Sequence, residues 1–220
     1  MAEAREDVEA DGYASDPLRD DPRVSAFFGE ALPRVRAFAD LLADQGELRG
    51  LIGPRELPRL WERHILNSAA VAPFLPAGEL VDVGSGAGLP GVVLAAMEPS
   101  REVTLIEPME RRTTWLTEAV EHSGIDNVRV WRGRAEEYAE GIAAKAVTAR
   151  AVANVTKLVK WCAPLLADDG QMVFLKGRSA EQELDAAKYV LRKQGFAAEV
   201  MEAPTLEGLE PTRVVRLARP

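Results

Sequence analysis

The stretch that decides the fold is Asp82-Val-Gly-Ser-Gly-Ala-Gly-Leu-Pro-Gly91. It follows a short apolar run, Leu80-Val81-Asp82-Val83, and leads into Gly91-Val-Val-Leu-Ala-Ala-Met97. The first run reads as a buried strand and the second as a buried helix. Gly84, Gly86 and Gly88 let the chain turn sharply between them and leave room for a ligand against the main chain. Pro90 suits a first helical turn, where a missing N–H costs nothing.

Working outward, the same strand–helix rhythm repeats. Strands are predicted at 103–106, 128–131, 146–149 and 171–175, with helices at 110–122, 155–166 and 179–194. This alternation predicts a parallel sheet covered on both faces. Two more strands, Phe196 to Met201 and Arg213 to Leu217, have no helix between them and predict an antiparallel pair at one edge. Before the sheet, apolar residues recur at helical spacing over 23–44 and 55–72. Three parts follow: an acidic tail over 1–22, a helical cap over 23–78 and an α/β core over 79–220.

Composition narrows the function. The 220 residues are 47% hydrophobic and 28% charged, which suits one globular domain with a real core. No apolar run is long enough for a membrane span, and the acidic start lacks a secretory h-region. One cysteine, Cys162, and two histidines, His64 and His122, exclude a disulfide framework and leave little for a metal site, so no metal is expected. The net charge of −8 argues, at face value, against nucleic acid as a partner. Residues 1–22 hold eight of the acids against two arginines, so the remainder carries only −2. With few large apolar side chains, that leader is expected to be disordered.

Two templates compete for the glycine turn. Gly86-x-Gly88-x-x-Gly91 matches the dinucleotide fingerprint. Asp82-x-Gly84-x-Gly86-x-Gly88 matches the acidic turn of S-adenosylmethionine (SAM) methyltransferases. The acid directly before the glycines, and their every-second-residue spacing, favour SAM. Glu107 ends the second strand, where an acid can accept from both ribose hydroxyls of a nucleoside cofactor, a role common to both templates. Arg134-Ala135-Glu136 follows the third strand, where an adenine would lie.

Several segments together resemble the bacterial ribosomal small-subunit methyltransferase G family over about residues 25–220. They are Arg63-His64-Ile65-Leu66-Asn67-Ser68, the turn itself, Arg134-Ala-Glu-Glu-Tyr138, Arg150-Ala-Val-Ala153 and Leu175-Lys-Gly177. The resemblance implies a Rossmann-like class I SAM-dependent methyltransferase with a mainly parallel seven-stranded sheet, an antiparallel edge pair and an N-terminal helical cap. It implies methyl transfer to N7 of a guanosine in the decoding-region loop of 16S rRNA, free or within the small subunit, by a cytoplasmic monomer. It places Gly84 and Leu89 on the cofactor at the first turn, Ala135 and Glu136 on the adenine side, and Arg150 beside cofactor and target base. Two positions depart from the family pattern. Asn67 stands where the family usually has Asp, which leaves open a pairing with a nearby arginine, and Arg111-Arg112 stands where Lys-Arg is common.

The chemistry fits this set. Guanine N7 carries a lone pair and no proton, so the reaction needs no general base, and catalysis can rest on proximity and orientation. The O6/N7 edge of guanine suits Arg or Lys. Arg150 is expected at that edge or at the cofactor as the positioning catalytic group. The expected cofactor contacts are Asp82, Gly84, Gly86, Gly88, Leu89, Glu107, Ala135, Glu136 and Arg150. Arg63, His64, Arg111, Arg112, Lys176 and Arg178 are the expected RNA contacts. His64 has an alternative role in locking its helix to the core, and Lys176 and Arg178 as a solvated strand end. The four tryptophans are expected to pack rather than stack on bases. Two other functions remain in view: a methyltransferase for a protein or small molecule on the same fold, and a non-catalytic nucleotide-binding module.

Overall fold

A computed structural model describes residues 13–138 and 142–220. Seven strands form one sheet in the order β3-β2-β1-β4-β5-β7-β6. They are β1 Leu80–Val83, β2 Val103–Glu107, β3 Val128–Arg132, β4 Ala144–Arg150, β5 Leu166–Lys176, β6 Ala197–Ala203 and β7 Thr212–Ala218. β1 to β5 pair in parallel, whereas β7 runs antiparallel to both β5 and β6. The expected edge pair is therefore present, inserted through β7. Strand order reverses between β1 and β4, the place where open α/β sheets bind ligands beyond their carboxyl ends.

Before the sheet lie α1 (Pro22–Phe28) and α2 (Leu32–Gln45). After β1, β2, β4 and β5 come α3 (Gly91–Met97), α4 (Glu110–His122), α5 (Val155–Cys162) and α6 (Ala180–Gln194). The core divides by sheet face. The cap packs with α3 and α4 on one face, and α5 and α6 cover the other. β1 and β2 are buried along their whole length, as strands covered on both faces must be.

Three expectations change. The single helix expected over 23–44 is broken at Gly29, whose φ of +50° a helix cannot accommodate; a 3-10 turn, Gly29–Ala31, joins α1 to α2. The helix expected over 55–72 is a 3-10 turn (Pro54–Arg59), a π-helix (Trp61–Leu66) and a short α turn (Asn67–Ala69). Pro58, lacking an N–H, keeps the first part from becoming α-helical. The helix expected over 155–166 stops at Cys162, and Pro164 turns the chain into a β5 that begins at Leu166.

The tail boundary is also corrected. Residues 1–12 lie outside the described residues, but residues 13–22 belong to the fold. Tyr13 and Leu18 are core members, and Asp16 is only 4% exposed. Asp16 Oδ2 accepts from Trp61 N at 2.9 Å, and its Oδ1 accepts from Leu18 N at 3.0 Å. Tyr13 Oη donates to Asp40 at 2.7 Å and accepts from Trp61 Nε1 at 3.2 Å. Three anchors in a charged stretch hold the chain where average composition predicts disorder.

Candidate active site

The glycine turn stands at the switch point. Gly84 has φ of +72°, and a Cβ there would meet Val152 Cγ2 at 2.7 Å. The turn is thus closed to any side chain and exposes its backbone to the cleft. Gly88 has φ of +99° and lies against Phe38 of the cap. Its task is to shape the turn and dock α2, and it lines none of the cavities described below. Asp82 also stays behind the turn. Its Oδ2 accepts from Gly91 N at 3.1 Å, tying β1 to the start of α3. Burial pushes its carboxyl up to about 7, against the lowering pull of Ser85, the Gly91 amide and Arg150.

Glu107 is 2% exposed, yet it forms part of the cleft wall. Its Oε2 accepts from Gly86 N and its Oε1 from Met109 N, each at 3.0 Å. A carboxylate has about four acceptor sites, so two remain for a pair of hydroxyls. Arg112 Nη1 lies 3.8 Å from Glu107 Oε2.

Three cavities meet along this edge. The first, about 380 Å³, is lined by Gly84–Ala87, Leu89, Glu107, Arg112 and the 150–152 loop. The second, about 180 Å³, is bounded by Gly84, Pro108, Arg134–Glu136, Val152 and Trp161. The third, about 610 Å³, is framed by Arg63, His64, Asn67, Arg150–Asn154, Lys176 and Glu183. Val152 borders all three, and Arg150 stands between the first and third. Ala151 between them has φ of +54°, a strained conformation for a residue with a Cβ.

Arg150 is held firmly. Its Nη1 donates to Arg63 O at 3.1 Å and to Asn67 Oδ1 at 3.2 Å, and its Nη2 lies 2.9 Å from His64 Nδ1. The pairing of residue 67 with an arginine therefore stands without the carboxylate, while Asn67 Nδ2 donates to Thr212 Oγ1 at 2.8 Å. Burial lowers the Arg150 guanidinium to about 10, so it stays charged at neutral pH. The π-helix brings Arg63 and His64 to this wall and the α turn that follows it brings Asn67, and π segments recur at functional sites.

The structure sorts the expected contacts. Gly84, Gly86, Leu89, Glu107 and Arg150 line the first cavity, and Ala135 and Glu136 the second. Asp82 and Gly88 support from behind. Arg63, His64 and Lys176 line the third cavity, but Lys176 is not a free cation: its Nζ donates to Ala153 O at 2.6 Å and to Glu183 at 2.8 Å. Its amine ties the 150–153 loop to α6. Arg112 belongs to the first cavity. Arg111 and Arg178 line none of the three, and Arg178 pairs with Glu210 at 3.3 Å on the surface. Trp61 and Trp115 pack as expected, whereas Trp161 borders the second cavity. Val152, Trp161, Glu183 and Glu56 were missed. Val152 falls within the quoted Arg150–Ala153 motif, and the adjacent Arg63 and His64 call for a counter-ion such as Glu56.

A nucleoside cofactor fits this cleft. Backbone lies bare at Gly84 and Gly86, an acid with spare acceptor sites stands at the end of β2, and a second pocket opens at Ala135. Arg112 Nε and Asp82 Oδ1 are buried without a hydrogen-bond partner in or beside the same wall. Sheet order, switch-point cleft and acidic glycine turn together define a class I SAM-dependent methyltransferase. The solved structures agree on that fold. A SAM-dependent O-methyltransferase from Thermotoga maritima aligns with a TM-score of 0.55 at 19% identity, covering 75% of this chain and 70% of its own. Fibrillarin from Aeropyrum pernix, solved with bound S-adenosyl-L-methionine, gives 0.54 at 15% identity over 70% and 76%.

Sequence comparison narrows the class to one family. Residues 31–208 match the model of rRNA small subunit methyltransferase G, GidB, and the chain belongs to that family. A ribosomal RNA small subunit methyltransferase G from Leifsonia xyli is 50% identical over 206 residues, covering 92% of this chain and 98% of the relative. Another, from Thermobifida fusca, is 55% identical over 168 residues, covering 76% and 71%.

Proposed function

We propose that this protein transfers a methyl group from SAM to N7 of a guanosine in the decoding-region loop of 16S rRNA. Family membership supports the rRNA substrate. The observation that carries the chemistry is the third cavity, which adjoins the cofactor cleft through Arg150–Val152 and offers no free base among the described residues. Both nitrogens of His64 are engaged, one with Arg150 and the other with Glu56. Glu183, the one carboxylate in that wall, accepts from Lys176, Val155 N and Ser179. Such a pocket suits a nucleophile that has no proton to lose, as guanine N7 does.

When bound, SAM supplies an electrophilic methyl group on a positively charged sulfur. The Gly84–Gly86 backbone and Glu107 hold and orient the nucleoside, and the Ala135–Glu136 pocket takes its base. Arg150 presents N–H donors towards the third cavity, matching the O6/N7 edge of guanine. Val152, bordering all three cavities, puts an apolar side chain at the junction. Glu107 in the cleft wall and Asp82 behind the turn would supply negative charge near a cationic cofactor. No described helix is long and apolar enough to cross a membrane; with an rRNA substrate, we infer a cytoplasmic reaction. The test is transfer of tritiated methyl from SAM to 16S rRNA, free and in assembled small subunits, with mapping of the labelled base. Label at a guanine N7 of the decoding-region loop is expected. Protein that binds SAM but labels neither substrate would overturn the reading.

A further inference from the structure

Glu56 lies on the 3-10 turn Pro54–Arg59 and lines none of the three cavities, yet its carboxylate is directed at the site. Its Oε2 lies 2.8 Å from His64 Nε2, and its Oε1 accepts from Arg63 at 3.2 Å. The chain of contacts continues from His64 Nδ1 to Arg150 Nη2 at 2.9 Å. Arginine has donors only, so His64 Nδ1 must be the acceptor. The ring proton then sits on Nε2 and is donated to Glu56. Carboxylate, neutral imidazole and guanidinium form a relay with one allowed direction.

Donor arithmetic shows what the relay leaves. Arg150 has five N–H groups. Two on Nη1 go to Arg63 O and Asn67, and one on Nη2 goes to His64. The second Nη2 hydrogen and Nε–H remain for the cavities that Arg150 borders. Their direction is set by the plane of the guanidinium, and His64 helps to fix that plane. Protonated His64 would have no lone pair for Arg150 and would set two cations side by side. Burial and Arg150 hold the imidazole down to about 4, against the upward pull of Glu56, with Arg63 adding a smaller lowering effect. At neutral pH the relay is intact.

We propose that Glu56 is a positioning residue for methyl transfer, anchoring the His64 ring that in turn holds the Arg150 guanidinium in the wall between cofactor cleft and base cavity. This rests on the reading above that Arg150 serves the reaction. It assigns His64 to the relay in place of the expected direct RNA contact.

The test uses the full chain with Glu56→Ala and Glu56→Gln. Three quantities are measured: kcat and KM for methyl transfer to small subunits, the urea midpoint, and the ring ¹⁵N spectrum of histidine-labelled protein. With only two histidines in the chain, His64 is readily assigned. In the wild type at neutral pH, His64 should show a protonated Nε2 and a bare Nδ1. Glu56→Ala should lower kcat about ten-fold, since misplacing an orienting group by an ångström costs up to about a hundred-fold. KM for SAM should move far less. Glu56→Gln keeps an acceptor oxygen for Nε2–H and should stay within about three-fold of the wild type, the difference expected between a charged and a neutral acceptor. Wild-type kcat in Glu56→Ala, equal damage in both variants, or a proton on Nδ1 would each overturn the proposal. Inactive wild type would overturn the rRNA reading alone, and the ring spectrum would still judge the relay.

Discussion

Asp16→Ala should cost more stability than any acid in a nominally disordered leader could. Trp61 N is the first donor of the π-helix that carries Arg63 and His64, and Asp16 caps it from 45 residues away in sequence. The substitution orphans that amide and Leu18 N together. Buried hydrogen bonds to a charged acceptor are worth about 1.5–3 kcal/mol each. Burial raises the Asp16 carboxyl above its usual range despite these bonds, so desolvation of the charge offsets part of their sum. A net loss of about 2–4 kcal/mol remains. For a chain of this length that is a fall in Tm of roughly 5–15 °C. Asp16→Asn keeps one acceptor oxygen and should lose about 1 kcal/mol. Urea unfolding at neutral pH reads both. A change below about 0.5 kcal/mol in Asp16→Ala, the range of an ordinary surface substitution, would refute the capping argument.

Two further outcomes concern the cofactor cleft. Gly84→Val should abolish SAM binding by calorimetry while the sheet stays folded by circular dichroism, because φ of +72° and the Val152 contact leave no room for a side chain; unchanged affinity would show that the cleft is elsewhere. SAM affinity should rise with pH through about 7. Asp82 titrates there in the free protein, and a cationic ligand nearby favours its ionised form, so below that pH binding must also drive off a proton. The limiting slope is about ten-fold per pH unit, and Asp82→Asn should flatten it; equal slopes in both proteins would remove Asp82 from the linkage.

Much of this was legible because the signals were local. The glycine turn names its own backbone conformation, and Glu107 follows from its place at the end of β2. The seven strands follow from short apolar runs between turn residues. What escaped was set by partners distant in sequence. Apolar spacing over 55–72 could not separate a π-helix from an α-helix, since both bury Trp61, Ile65 and Leu66. Tyr13, Asp16 and Leu18 are ordinary residues in an acidic stretch until Trp61 and Asp40 stand opposite them. Lys176 reads as a free strand-end cation, and only packing of α6 brings Glu183 to it. Arg111 and Arg112 are neighbours in sequence, but helical rotation sends one to solvent and the other to the cleft.

The net charge of −8 likewise misleads because it has no direction. Glu79 and Glu102 precede β1 and β2, Asp126 lies just before β3, and Asp168 and Asp169 lie early in β5. All mark the amino edge of the sheet. Arg132, Arg150 and Lys176 close β3, β4 and β5 at the opposite edge. A five-residue strand spans about 17 Å. The Debye length at 0.1 M salt is about 10 Å, so a phosphate at the carboxyl edge is screened from the acids behind it. Arg63 and Arg150 stand at that edge, with Arg55, Arg111 and Lys157 on adjoining turns. Of the acids at this edge, Asp82 is buried behind the glycine turn, Glu107 lines the cleft, and Glu56 and Glu183 are paired with Arg63 and Lys176. This edge thus carries its cations beside paired or buried carboxylates, and net charge alone does not decide whether an acidic protein can bind a polyanion.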